Sequence, residues 1–253
     1  MSVGRTKPIL LACERSDGSE VEVITKFSSG CDRGVTGLAI ESLLAMLAAD
    51  LRLPVPEPLL VHVDPEVIDR DISPSARALA DSSTDPSFGS IRLPAAFIAV
   101  SSDKRLDNLI DQAAEVFAFD GMVLNPDRLV KNPNCQSDGT KLAIFDHEAA
   151  LAGLDVLGTM LQPYPWVTGG LLTLGTGPGQ HVLFALLRGK EVQLDRFAAA
   201  WTGVTDVRLQ AYKDALPDTW APAFPVIDQA LNYLRELRDH VPAVLDEVRR
   251  VLS

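Results

Sequence analysis

The sequence predicts an α+β fold with strands and helices segregated along the chain. Three observations carry this: short or alternating apolar runs in the first hundred residues, helical spacing in the last hundred, and turn-forming polar stretches between them. The 253 residues are 47% hydrophobic, enough to fill one large core or two small ones, which excludes disordered and fibrous classes.

The elements follow in order. Lys7 to Glu14 holds the apolar run ILLAC, Ser16 to Ser19 has hairpin-turn chemistry, and Val21 to Phe27 alternates as VEVITKF, which predicts two antiparallel strands. Residues 36 to 51 place Leu38, Leu43, Leu44, Leu47 and Leu51 at helical spacing, an amphipathic helix that stops by Pro54. The prolines from Pro54 to Pro58 feed a third strand, Leu59 to Val63. Residues 64 to 90 are polar and broken by prolines, so they read as a loop with a short helix near Ser75 to Asp81. Ile91 to Val100 reads as a further strand that Pro94 confines to an edge or bends. Leu106 to Leu124 is helical, followed by a polar loop and the short strand LAIF, which ends at Asp146.

After a Gly- and Pro-rich connection at 162 to 180, expected to be flexible, helices are predicted at 182–188, 193–201, 206–214, 223–239 and 241–252. Asp195 and Asp206 are candidate caps for two of them.

Charge narrows the partners. Against 34 Asp and Glu there are 23 Lys and Arg, a formal charge of −11, the wrong sign for non-specific binding to nucleic acid or to an acidic membrane surface. The arginines at 235, 238, 249 and 250 form the one basic cluster, expected to be a solvated face. No apolar run nears the roughly 20 residues needed to cross a bilayer, and the start reads as free of a secretory signal, so a cytoplasmic protein is expected. Cys13, Cys31 and Cys135 show no CxxC pair and no matching His spacing, which predicts free thiols rather than disulfides or zinc.

The chemistry concentrates in Asn125 to Asn134, NPDRLVKNPN, and Ala143 to Glu148, AIFDHE. Phosphoryl transfer needs a carboxylate to orient the acceptor hydroxyl and ligands to hold magnesium on the phosphates. Kinases place these as an Asp, an Asn five residues later and a second Asp ending the next strand. Asp127, Asn132 and Asp146 fit that order. The spacing alone selects nothing, since Asp103 with Asn108 and Asp120 with Asn125 share it, and a turn role for Asp127 is the competing reading. The context selects the last pair: a polar loop after a long helix, with a strand-ending Asp fourteen residues past Asn132. Lys26, inside VEVITKF, and Glu41, on the following helix, have the topology of a strand Lys positioned by a helix Glu.

Other patterns are set aside. The run from Gly169 to Gly179 lacks the Lys-Ser or Lys-Thr ending of a phosphate loop, and His147-Glu148 lacks the second His of a metalloprotease motif. His62, His181 and His240 are isolated and read as surface or packed residues.

These residues resemble the HipA-like kinases, in the compact form without the extra N-terminal subdomain, and more distantly the phosphatidylinositol kinases. The resemblance is carried by GRTKPILLAC at 4–13, ITKF at 24–27, the helix at 39–58, FDGMVLNPDRLVKNPN at 119–134 and AIFDHEAAL at 143–151. It implies a single two-lobed protein-kinase-like domain. A small β-rich N-lobe with one helix would span about 1–100, and a larger, mostly helical C-lobe about 101–253, with ATP and Mg²⁺ between them. It further implies Asp127 as the catalytic residue, Asn132 and Asp146 as metal ligands, Lys26 as the phosphate-binding Lys with Glu41 as its partner, and Gly4 to Lys7 as the nucleotide-covering loop. The acceptor implied is Ser or Thr on a protein. Leu129 departs from the family, which commonly has a His there to support the loop, and glycine is sparse near residue 4. Two further readings therefore stand beside an active kinase: a weak or inactive nucleotide-binding module acting through a partner, and a kinase fold that transfers AMP from a reversed nucleotide.

Overall fold

The structure is a computed structural model and describes residues 6–64, 73–101, 106–154 and 163–253. β1 (Ile9–Glu14) and β2 (Glu20–Lys26) form the predicted hairpin. Its turn is closed by Asp17 Oδ1, which accepts from Ser19 N at 2.9 Å, and Gly18 takes φ +81°, a conformation glycine adopts without steric cost. β3 (Pro58–Val61) and β4 (Ser87–Ile91) complete an antiparallel sheet of order β1-β2-β4-β3.

β4 corrects two expectations. Ser87 to Ser90 lies within the stretch read as loop, and Ile91 to Val100 is not one strand but divides around Pro94, leaving β5 (Ile98–Ala99). The SFGS sequence carries no apolar alternation; its strand character comes from pairing with β2 on one side and β3 on the other. Gly89 sits where a Cβ would lie 2.5 Å from both Val23 Cγ1 and Val61 Cγ2, so packing between the neighbouring strands demands glycine.

α1 (Val35–Asp50) follows β2. It was expected to be amphipathic, yet eleven of its residues are buried, Glu41 among them, because it contacts the sheet at β3 and β4 and also the C-terminal helices. The short helix α2 (Pro74–Asp81) matches its expectation, with Ser73 Oγ accepting from Ala76 N at 3.3 Å as its cap.

α3 (Ile110–Met122) is buried from Ala113 to Met122. β6 (Cys135–Ser137), in the stretch expected to be loop, pairs with β7 (Leu142–Ile144) and β5 in a second antiparallel sheet of order β5-β6-β7.

The remainder is helical: α4 (Leu172–Gly175), α5 (Phe184–Leu187), α6 (Asp195–Trp201), α7 (Asp206–Asp214), α8 (Phe224–Asp239) and α9 (Val241–Leu252). α4 falls within the connection expected to be flexible. Asp195 and Asp206 are first-turn residues rather than caps; Thr205 caps α7, accepting from Arg208 N at 3.1 Å. Tyr233 Oη donates to Met122 O at 2.6 Å and Trp220 Nε1 to Pro86 O at 3.0 Å, which tie the C-terminal helices to α3 and to the residue before β4. The fold is thus α+β, with an antiparallel sheet and one long buried helix first and mostly helices afterwards.

The basic cluster is neutralised locally: Arg238 pairs with Asp206 at 2.8 Å, Arg249 with Asp246 at 3.0 Å and Arg250 with Glu247 at 2.6 Å. Cys13, Cys31 and Cys135 form no disulfide with one another. Among the described residues, no helix is long and apolar enough to cross a membrane.

Candidate functional site

β2 delivers Lys26 to the interior, where its ammonium meets three carboxylates: Glu41 at 2.9 Å, Asp146 at 2.6 Å and Glu148 at 3.2 Å. Burial by itself would lower the Lys26 pKa, but the three carboxylates reverse this and raise it above the ordinary lysine value, so Lys26 is charged. Burial likewise pushes Glu41 up, and Lys26 and His147 overcome it, holding Glu41 well below the usual carboxylate range. Glu41 Oε2 also accepts from His147 N at 2.6 Å, which locks α1 to the chain just past Asp146.

Asp146 takes φ +64°, a left-handed conformation that costs a non-glycine residue about 1–2 kcal/mol. The residues around it hold it there. Ile144 N donates to Pro54 O at 2.8 Å, Phe145 N to Asn134 O at 3.2 Å, and Arg128 Nη1 to Phe145 O at 3.2 Å. The base of the β6-β7 hairpin therefore sets Asp146 beside the loop from Asn125 to Asn134.

Within that loop, Asp127 Oδ2 accepts from Asn132 Nδ2 at 2.8 Å and from Asn134 Nδ2 at 3.1 Å. Two amides on one oxygen fix the carboxylate, and Oδ1 is left to meet another group. The second Asp and Asn pair, Asp120 and Asn125, is also bonded, at 2.7 Å, but it has a different environment. Asp120 is fully buried on α3, receives Arg128 Nε at 2.5 Å and Nη2 at 3.2 Å, and lies 2.9 Å from His181 Nε2. Burial would raise its pKa; Arg128 and His181 hold it well below the usual range instead. Asp120 is thus the anchor of the loop, and Asp127 is the partly exposed residue facing outward.

Arg128 carries the anchoring. It is fully buried and donates to Asn134 O as well as to Phe145 O and Asp120, so one guanidinium joins α3, both ends of the loop and the residue before Asp146. His181 supports the same loop from the C-terminal region: Val182 N donates to Arg128 O at 3.0 Å, and Leu129 bridges to His181. Leu183 N donates to His181 Nδ1 at 3.1 Å, so the ring proton sits on Nε2 and points at Asp120. Burial lowers the His181 pKa, which keeps this tautomer neutral.

Lys26 is therefore in direct contact with Glu41 and Asp146, and Asp127 and Asn132 bond each other in the loop that Arg128 and Asn134 tie to Phe145. Lys7 is exposed and touches none of these residues, and Gly4 lies outside the described residues. Sequence reasoning missed Glu148, Asn134, Arg128, Asp120 and His181. The repeated Asn-Pro of Asn125-Pro126-Asp127 and Asn132-Pro133-Asn134 held a signal for Asn134, but nothing local in the sequence pairs His181 with Asp120, 61 residues away.

Donor chemistry suits a divalent cation bound to phosphates. Asn132, with its amide nitrogen committed to Asp127, presents a carbonyl oxygen, and Asp146 has a second carboxylate oxygen besides the one on Lys26; hard oxygen ligands of this kind suit Mg²⁺. Glu41, Asp146 and Glu148 also bring ligand atoms within 4.8 Å of one another, but Lys26 already sits among all three. Next to this cluster lies a cavity of about 370 Å³ between the two sheets, lined by Ile24, Arg92 to Ala95, Phe97, Gln136 and Phe145 among others. Ile24 is two residues before Lys26 on β2 and shares its face, and Phe145 immediately precedes Asp146.

A family model described as HipA-like kinase matches residues 1–156, more than half of the chain. The class is that of kinase-type phosphotransferases. Within it, the chain belongs to the HipA-like kinase family. A search of curated proteins finds no match to the chain.

Proposed function

We propose that this protein is an ATP- and Mg²⁺-dependent kinase with a two-lobed protein-kinase-like fold, acting on a Ser or Thr hydroxyl of a protein. The observation that carries the reading is that Lys26 contacts Glu41 and Asp146 while Asp127 bonds Asn132, and that the loop holding Asp127 is hydrogen-bonded, through Arg128 and Asn134, to Phe145, the residue before Asp146.

The cavity between the sheets takes the base, since it is apolar at Ile24 and Phe145 and bordered by the connecting segment from Arg92 to Ala95. Lys26, two residues past Ile24 on the same face of β2, pairs its ammonium with the phosphates, and Glu41 holds it in place. Asn132 and Asp146 would hold the metal, which would supply positive charge against the phosphates. Asp127 accepts a hydrogen bond from the acceptor hydroxyl through Oδ1, orients its oxygen toward the γ-phosphorus and takes its proton as the new P–O bond forms; ADP leaves. Asn132 and Asn134, both bonded to Oδ2, keep that carboxylate from turning. Leu129 in place of the family's His leaves the loop supported, because Arg128, Asp120 and His181 hold it from beneath; this favours an active enzyme over a decayed one.

The test is thermal stability with and without Mg²⁺-ATP for wild type and Asp146→Ala. A ligand that binds only the native state raises the midpoint by mass action. A rise in wild type that is lost in the variant is the expected result. No rise at millimolar ATP removes the reading.

A further inference from the structure

Glu148 has no part in the chemistry above, yet both of its carboxylate oxygens are engaged. Oε1 accepts from the hydroxyl of Thr6, and Oε2 lies 3.2 Å from Lys26 Nζ and 3.4 Å from Cys31 Sγ. Its backbone is fixed as well, since Arg33 Nη1 donates at 3.0 Å to the carbonyls of both Glu148 and Ala150. A hydroxyl and an ammonium converging on one anion are the donors that receive a phosphate oxygen. Here an anion of the chain itself occupies them.

An ammonium has three N–H groups, and the three on Lys26 face Glu41, Asp146 and Glu148. A phosphate reaches Lys26 only if one carboxylate yields. Glu41 is 3% exposed and bonded to His147 as well, and Asp146 makes the shortest contact of the three, at 2.6 Å. Glu148 makes the longest, at 3.2 Å, so its release costs least.

We propose that Glu148 is a phosphate-mimicking latch. Without nucleotide it holds Lys26 and ties down the chain at Thr6; when a nucleoside triphosphate binds, it gives up both donors to the phosphates. The inference rests on the proposed nucleotide site and adds that this site is occupied by the chain's own carboxylate at rest.

The experiment is the Kd of Mg²⁺-ATP, Mg²⁺-ADP and adenosine for wild type, Glu148→Gln and Glu148→Asp, with Asp146→Ala as the control for location. Apparent affinity scales with the fraction of molecules whose donors are free, so Glu148→Gln should tighten ATP and ADP by about fivefold or more. Glu148→Asp, which draws the charge back by one methylene, should tighten them less, and it serves if the Gln variant does not fold. Adenosine has no phosphate and should bind all three alike. An unchanged or weaker ATP affinity in both variants, or equal tightening of adenosine, overturns the latch. Undiminished ATP binding in Asp146→Ala overturns instead the location of the nucleotide, and the latch with it.

Discussion

Replacing Arg128 with Met removes the one side chain that joins α3, both ends of the Asp127 loop and the residue before Asp146. Arg128 and Asp120 are each fully buried, and their contacts run from 2.5 to 3.2 Å. Deleting one partner of such a pair leaves a buried charge uncompensated, at a cost of about 3–5 kcal/mol. The carbonyl of Phe145 also loses its guanidinium donor, roughly 1–3 kcal/mol if no water replaces it, while that of Asn134 keeps Phe145 N; this loss overlaps the first and is not simply added to it. For a domain of this size 1 kcal/mol moves the midpoint by about 2–4 °C, so Arg128→Met should melt roughly 6–20 °C below wild type. Urea unfolding should show the same order. The double variant Asp120→Leu/Arg128→Met should be less destabilised than the sum of the singles, because neither charge is stranded. A single variant within about 2 °C of wild type, or a strictly additive double, would refute the argument that this pair anchors the loop.

Asp127→Asn should abolish phosphoryl transfer while the ATP-induced rise in midpoint survives, because the amide keeps the loop's hydrogen bonds but cannot take a proton; unchanged turnover removes Asp127 from its role. Gly89→Ala should cost about 1–3 kcal/mol, since its Cβ meets Val23 and Val61 at 2.5 Å, and a variant as stable as wild type in urea would show that β2 and β3 can part without penalty. Acid should destabilise the fold in two stages. Burial holds His181 below its ordinary value of 6.5, so the unfolded chain binds its proton first; the stability from neutral His181 is complete above about pH 6.5 and lost as pH falls from there. Asp120, held below the ordinary 3.8, loses its contribution only under stronger acid. Urea midpoints measured from pH 8 to pH 5 should therefore fall less in His181→Gln than in wild type, and equal slopes would exclude His181 as the source.

Much of the helical half is legible in the sequence. The helices at 206–214 and 241–252 have the bounds their patterns predict, because a 3.6-residue period with polar flanks is a property of the segment itself. β4 and β6 are illegible for the complementary reason: SFGS and CQS become strands only when β2, β3 and β7 offer hydrogen bonds, and no local period marks that. α1 shows a milder failure. Its spacing announces a helix correctly, but not that it would be buried on nearly all sides between a sheet and other helices.

At the candidate site the same division holds. Asp127 with Asn132, the strand-ending Asp146, and Lys26 ahead of Glu41 are readable as candidates because residue type, order along the chain and the polar-loop context mark them, where spacing alone does not. That Lys26 reaches Asp146 120 residues away, that Glu148 takes its third donor, and that His181 steadies Asp120 depend on how sheet and helices pack. The sequence by itself determined the class of fold and the order of the candidate site residues, since period and residue order are local. Only the tertiary structure decided which Asp is buried as an anchor and which faces outward, because a carboxylate's protonation and partners are set by the dielectric and the charges that surround it in space.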